Sequence, residues 1–206
     1  KDLYKEINKK YFLNDVFYSN SKYQEELFDF FMEEKENHKK INKNFISETM
    51  HRENYLLFKK SIKFYKTEDI HDNYFILNKS THLDKECFFH TLIKEDKFYK
   101  AIYFKNNLIL SSAISVDNSY YFDYFLQLKK LDASENNNRA LMNSIMFNKK
   151  DKFHKLIKKD SVKSKLTKNF KEDFIKYYGI ERDLKQLNEI EFYFKTIQII
   201  VNANHF

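Results

Sequence analysis

The chain has 206 residues, a formal net charge of +7, one glycine and no proline. At average usage a chain of this length would hold about ten prolines and fourteen glycines. Walker and Rossmann phosphate loops need glycine, because only glycine adopts positive φ without strain. The composition therefore argues against both of these nucleotide-binding classes.

The one cysteine, Cys87, excludes an internal disulfide and a cysteine-based zinc site within the chain. It stands in the apolar run 87–89, which predicts a buried, inert thiol. No apolar run approaches the roughly 18–20 residues of a membrane span. We therefore expect no membrane span and an intracellular protein, with secretion after removal of a signal peptide as the alternative.

The first segment, residues 1–66, is predicted to be helical. Apolar residues recur there at helical spacing in two stripes. The first stripe is Tyr23, Leu27 and Phe31, and the second is Tyr55, Phe58, Ile62 and Tyr65. Each stripe predicts a helix with one buried face.

The middle segment, residues 73–128, is predicted to form an antiparallel β-meander. Short aromatic and β-branched runs alternate there with polar separators at residues 95–97, 105–107 and 117–119. The separators are rich in Asn and Asp, which tolerate the left-handed geometry of hairpin turns. The alternative is that these runs are helices, and residues 120–128 are the run for which a helix is most favoured.

The last segment, residues 134–206, returns to a helical pattern. Ser134 can cap one helix, and Gly179 stands where a left-handed C-terminal cap is expected. The whole chain is predicted to be a single α+β domain, 1–206, with N-terminal helices, the central meander and C-terminal helices that carry a basic face. An all-α helical bundle is the alternative.

Positive charge is concentrated in residues 149–176. This segment holds eleven lysines and four acids, an excess of seven positive charges that equals the net charge of the whole chain. Such segregation is typical of a surface that contacts nucleic acid or another polyanion. The candidate nucleic-acid contacts are Lys149, Lys150, Lys152, Lys155, Lys158, Lys159, Lys163, Lys165 and Lys168. The alternative is that these lysines are only solvated.

The residue types indicate the kind of contact. Only three of the 37 basic residues are arginines, and lysine acts as a point charge on phosphate rather than as a fork that reads guanine. We therefore expect backbone contacts with little sequence preference. Five neighbouring aromatic residues could stack on unpaired bases or face the core instead: Phe147, Phe153, Phe170, Tyr177 and Tyr178.

A second candidate site lies in residues 117–129. If residues 120–128 form a strand, Asp123, Gln127 and Lys129 share one face with each other. Together with Asp117 they could hold a divalent metal while the lysine positions the attacking water. This short pattern resembles the PD-(D/E)xK nucleases, although no proline precedes Asp117 and Gln127 replaces the usual carboxylate. The resemblance implies a metal-dependent nuclease with these four residues as catalytic candidates.

The leading prediction is thus a non-enzymatic protein that binds nucleic acid or another polyanion. The alternatives are a module that docks another protein through exposed Phe and Tyr, and the metal-dependent nuclease. His82 and His90 do not have the spacing of a zinc motif, and no serine nucleophile flanked by glycines occurs. We predict no cofactor and no metal, and the sequence does not predict an oligomeric state.

Overall fold

The computed structural model describes residues 16–17, 21–105, 108–179 and 184–203. Every regular element in these ranges is helical, so the protein is all-α. The first half contains α1 Ser21–Met32, a 3-10 turn Lys35–Lys40, α2 Lys43–His51, α3 Tyr55–Ile62, α4 Ile70–His82, α5 Glu86–Leu92 and α6 Asp96–Ala101. The second half contains α7 Leu108–Ala113, α8 Ser119–Gln127, α9 Glu135–Met146, α10 Lys150–Ile157, α11 Asp160–Ser164, α12 Phe170–Tyr178 and α13 Leu184–Ala203.

The predicted β-meander over residues 73–128 is wrong, and with it the α+β class. The described part of this segment is a series of short helices, and only the all-α alternative agrees with it. A helix of six to thirteen residues plus its connection separates polar segments by nearly the same number of residues as a strand plus its turn. The polar separators at 95–97 and 117–119 contain helix starts, whereas 106–107 lie outside the described residues. The Oδ1 of Asn118 accepts the backbone N–H of Tyr120 at 2.9 Å. Asn is favoured at helix N-caps as strongly as it is in turns.

Asparagine caps further helices in the same way. The side chain of Asn42 accepts two backbone N–H groups at the start of α2, and the side chain of Asn54 accepts the N–H of Leu57 at the start of α3. These bonds satisfy donors that the first helical turn leaves without intrahelical partners. Frequent asparagine therefore allows many short helices in a chain that is almost free of glycine and proline.

Left-handed backbone occurs at residues other than glycine. Gly179 has φ 65° and ends α12, as predicted. Positive φ is also found at Glu53, Asp84, Lys105, Asn136, Asn137, Asn138 and Asn148. The three consecutive asparagines form one left-handed turn at the beginning of α9. Asn tolerates this region better than most side chains, because its short polar group can bond locally.

The chain divides into two compact units, Lys1–Ala101 and Ile102–Phe206, which we call the N-terminal and C-terminal units. In the N-terminal unit the rings of Phe58 and Phe88 meet edge to face at 4.8 Å. In the C-terminal unit Phe153 and Tyr193 do the same, also at 4.8 Å. Aromatic rings therefore build both cores. The prediction of a single domain is not tested by this division and stays a prediction.

Two further sequence predictions can be compared with the helices. The stripes in α1 and α3 are buried at Leu27, Phe31, Phe58 and Ile62, whereas Tyr23 is exposed. Cys87 is also exposed, so the predicted buried thiol is wrong. The cysteine lies at the start of α5, whose helical period buries the next two residues instead.

In the described ranges no helix combines the length and apolar character needed to cross a lipid bilayer.

Candidate functional site

The basic segment builds α10, α11 and α12 of the C-terminal unit. Helix α10 buries Phe153, Leu156 and Ile157 on its inner side. Its outer side carries a row of residues at four-residue spacing: Lys150, His154 and Lys158, all exposed. Residues four apart lie one above the other on a helix, about 6 Å apart along its axis. The row therefore presents two lysines, with a histidine between them, to solvent along the full length of α10.

Lys152 lies on the inner side of α10 and not on the exposed face. Its side chain is 4 % exposed, and its Nζ donates to the carbonyl oxygens of Ala113, Ile114 and Val116. Ala113 is the last residue of α7 and the other two follow it, so the ammonium group caps the end of that helix. Burial lowers the pKa of Lys152 to about 8. Lys152 is therefore a structural cation that is not accessible to an external phosphate.

Four acids from outside the basic segment pair with its lysines. Asp123 binds Lys155 at 2.7 Å, Glu191 binds Lys171 at 2.9 Å, Asp132 binds Lys165 at 3.4 Å, and Asp117 binds Lys149. Within the segment, Asp160 lies 3.4 Å from Lys163. The folded chain thus offsets four of the seven excess charges that the sequence concentrates between residues 149 and 176.

The remaining lysines form the set on which the site depends. Among the described residues no acid lies within ion-pair distance of Lys150, Lys158, Lys159, Lys168 or Lys176, which we call the unpaired lysines. All five are exposed. Lys158 and Lys159 occupy the junction of α10 and α11, and Lys150 lies at the other end of α10. One unpaired lysine therefore begins α10 and two others follow its end.

An open groove of about 820 Å³ lies beside α10. Its lining includes Ser119 at the start of α8 and Asp117 just before it, together with Lys149, Lys150, Asp151, His154 and Lys155. Both α8 and α10 begin at this groove, and the N-terminal end of a helix carries partial positive charge. Asp117 and the nearby Asp123 are already engaged by Lys149 and Lys155, whereas the exposed Asp151 lines the groove without an ion pair among the described residues. Lysines still outnumber acids in the lining. The groove thus favours an anionic occupant.

The aromatic residues expected to stack on bases divide into two groups. Phe153 and Phe170 are buried in the core, and the hydroxyl of the half-buried Tyr178 donates to Asn143. Phe147 and Tyr177 are about half exposed, and the guanidinium group of Arg139 lies 5.4 Å from the Tyr177 ring centre. Only Phe147 and Tyr177 of the five therefore present an accessible ring face.

Sequence reasoning missed a further exposed ring, Phe192 on α13, which is 51 % exposed. The Nζ of Lys150 lies 6.0 Å from its ring centre, and the ring of His154 lies 6.4 Å away. A signal was available, because the buried stripe of α13 passes through Ile190, Phe194, Ile197 and Val201. Residue 192 is off that stripe, so helical spacing predicts an exposed side chain there.

The nuclease candidates do not assemble into a metal site in the part of the chain that is described. Residues 119–127 form α8 and not a strand. The prediction that Asp123, Gln127 and Lys129 share one face of a strand is therefore wrong. Asp117 precedes this helix and is almost fully exposed, and each aspartate pairs with a different lysine. No group of three or more His, Cys, Asp or Glu side chains able to hold a metal ion occurs among the described residues.

The fold and the site together define an all-α protein whose C-terminal unit carries a basic groove flanked by an exposed aromatic ring. Comparisons with known protein families, with curated proteins and with solved structures gave no match. The function therefore has to be argued from the groove and its side chains.

Proposed function

We propose that the protein binds nucleic acid through its phosphate backbone, using the groove beside α10 and the unpaired lysines at either end of that helix. The observation that carries this proposal is the grouping of Lys150, Lys158 and Lys159, exposed and without an acidic partner among the described residues. Lysine ammonium groups are compact point charges that bind phosphate without reading the base sequence.

The paired lysines of the groove add to this surface. The Asp117–Lys149 pair is exposed on its acidic side, and exposed ion pairs contribute little to stability. A phosphate group can therefore compete for Lys149 and Lys155. Because Asp117 and Asp123 remain close by, we expect moderate affinity with strong dependence on salt.

Low sequence preference follows from the same side chains. Arginine is the residue that reads guanine through two parallel hydrogen bonds. Arg139 lies in the described part of the C-terminal unit, but its guanidinium group is placed over the Tyr177 ring. The basic residues that line the groove are lysines and His154, and none of the described lining residues is an arginine. We therefore expect oligonucleotides of different sequence to bind with similar affinity.

Fluorescence anisotropy with labelled oligonucleotides, titrated across salt, tests the proposal. The variant changes Lys150, Lys158 and Lys159 to Gln, which removes three charges and keeps the length of each side chain approximately. Its salt slope should be lower than that of the wild type by about 2–3, because each lost phosphate contact removes about 0.7–0.9.

A matched control removes the same charge from the N-terminal unit. Lys35, Lys59 and Lys63 are exposed there, and changing them to Gln should leave the salt slope unchanged. If both variants lower the salt slope equally, binding depends on net charge rather than on this surface. If the wild type does not bind at low salt, the proposal is wrong. Docking of a protein partner through exposed aromatic residues stays a prediction.

A further inference from the structure

We propose that Phe192, flanked by Lys150 and His154, is a stacking site for an unpaired base, and that the protein consequently prefers single-stranded to double-stranded nucleic acid. This inference rests on the proposed function and adds the class of nucleic acid to it. It concerns a ring that lies outside the basic segment of the sequence, on the last described helix.

The position of Phe192 is fixed by its neighbours on α13. The hydroxyl of the adjacent Tyr193 donates to Oδ1 of Asn148 at 2.6 Å, and its ring packs against Phe153 of α10. Ile190 and Phe194 are buried on the same helix. These contacts hold α13 against α10, so the Phe192 ring remains beside the groove while contributing little to the core.

The side chains around the ring are those that a nucleotide needs. Lys150 contacts the ring and also lines the groove, so its ammonium group can bind the phosphate of the nucleotide whose base covers Phe192. His154 lines the same groove and meets the ring nearly at a right angle, with an interplanar angle of 77°. It thus borders the ring on one side and leaves part of it open to solvent.

Strand preference follows from which base surfaces are accessible. In a duplex the faces of the bases are covered by their neighbours, whereas an unpaired base can place its face on an aromatic ring. Every base has such a face, so stacking on Phe192 agrees with low sequence preference. The unpaired lysines supply backbone contacts that either form of nucleic acid can use.

The test compares single-stranded oligothymidylate with a duplex of equal length at one salt concentration. Wild-type protein should bind the single strand more tightly. Phe192→Ala should weaken single-strand binding by about 5- to 150-fold, the range expected for loss of one stacked base. It should leave duplex affinity and the salt slope unchanged, because no charge is altered.

Two further variants sharpen the result. Ile199→Ala removes an exposed apolar side chain from the same helix about two turns away, and it should bind both ligands as the wild type does. Phe192→Trp adds a tryptophan to a chain that has none. Its fluorescence should be quenched by the single strand, and its affinity should match that of the wild type.

The outcomes separate this inference from the proposed function. Salt-dependent binding with no strand preference, or with a Phe192→Ala variant that binds the single strand normally, overturns the stacking site and leaves phosphate binding intact. A Phe192→Ala variant that loses duplex affinity in equal measure overturns it as well. Failure of the wild type to bind either ligand removes both proposals.

Discussion

Both carboxylate oxygens of Asp123 lie 2.7 Å from the Nζ of Lys155. The acid belongs to α8 and the lysine to α10, so the pair joins an acid outside the basic segment to a lysine within it. Asp117, which precedes Asp123 in the chain, forms the same kind of ion pair with Lys149, which precedes Lys155. The positive field of the groove is therefore set by which lysines these acids leave unpaired, and not by the number of lysines in the sequence.

Removing the two acids that pair with Lys149 and Lys155 should strengthen nucleic-acid binding. Asp117→Asn combined with Asp123→Asn frees Lys149 and Lys155 and removes two charges that repel phosphate. We expect affinity at low salt to rise by about two- to tenfold, measured by anisotropy. Glu48→Gln with Asp96→Asn is the control, because it breaks two ion pairs of the N-terminal unit with the same change in charge. Weaker binding by the groove variant would contradict the account.

Truncation of Lys152 should destabilise the C-terminal unit. Lys152→Ala leaves three carbonyl groups at the end of α7 without their donor and opens a cavity below α10. Together these effects should cost about 2–4 kcal/mol in the free energy of unfolding, measured by urea denaturation. Lys150→Ala on the same helix removes an exposed lysine and should change the free energy by less than about 0.5 kcal/mol. Similar values for the two variants would refute the capping role.

The stability contributed by Lys152 should depend on pH. Burial lowers its pKa to about 8 in the folded protein, against 10.5 ordinarily; Lys149 and Lys155 lower it further, and Asp117 and Asp123 oppose them. Between these two values the unfolded chain binds a proton that the folded chain has released. The free energy of unfolding therefore rises with pH in this window. Urea denaturation of wild type and Lys152→Met from pH 7 to about 10 should show the wild type gaining relative stability, and a constant or declining difference would be contrary to this assignment.

The left-handed turn at the beginning of α9 should accept glycine and reject β-branched residues. Asn137 is exposed and has φ 56°, a region that costs an ordinary L-residue about 1–2 kcal/mol. Asn137→Val should lower the free energy of unfolding by at least about 1 kcal/mol, whereas Asn137→Gly should leave it unchanged or raise it. Thermal denaturation measures both. A tolerated valine would mean that the backbone here is not left-handed in solution.

The sequence predicts some parts of this fold because they depend on local rules. The buried positions of α3 follow from spacing, and the end of α12 follows from the one glycine. Residues 73–128 could not be assigned in this way, because Asn and Asp begin helices as readily as they make hairpin turns. A series of short helices with aromatic faces therefore shows polar segments at the same intervals in the sequence as a β-meander does.

The candidate site was predicted only in part for a different reason. The position of a lysine in the sequence does not show whether an acid distant in the chain will meet it, as Asp132 meets Lys165. Nor does it show that Lys152 is buried on three carbonyl groups, since this depends on the packing of α10 against α7. Phe192 is the counterexample, because the helical spacing of α13 was enough to predict its exposure, although this signal was missed.

The most direct test of the central claim is to map where nucleic acid touches the protein. A single-stranded oligonucleotide that contains thiouridine would be photo-crosslinked to the wild-type chain, and the crosslinked peptides would be identified by mass spectrometry. The account predicts crosslinks within residues 147–159 and at the peptide that contains Phe192. Crosslinks confined to the N-terminal unit, or none at low salt, would contradict it.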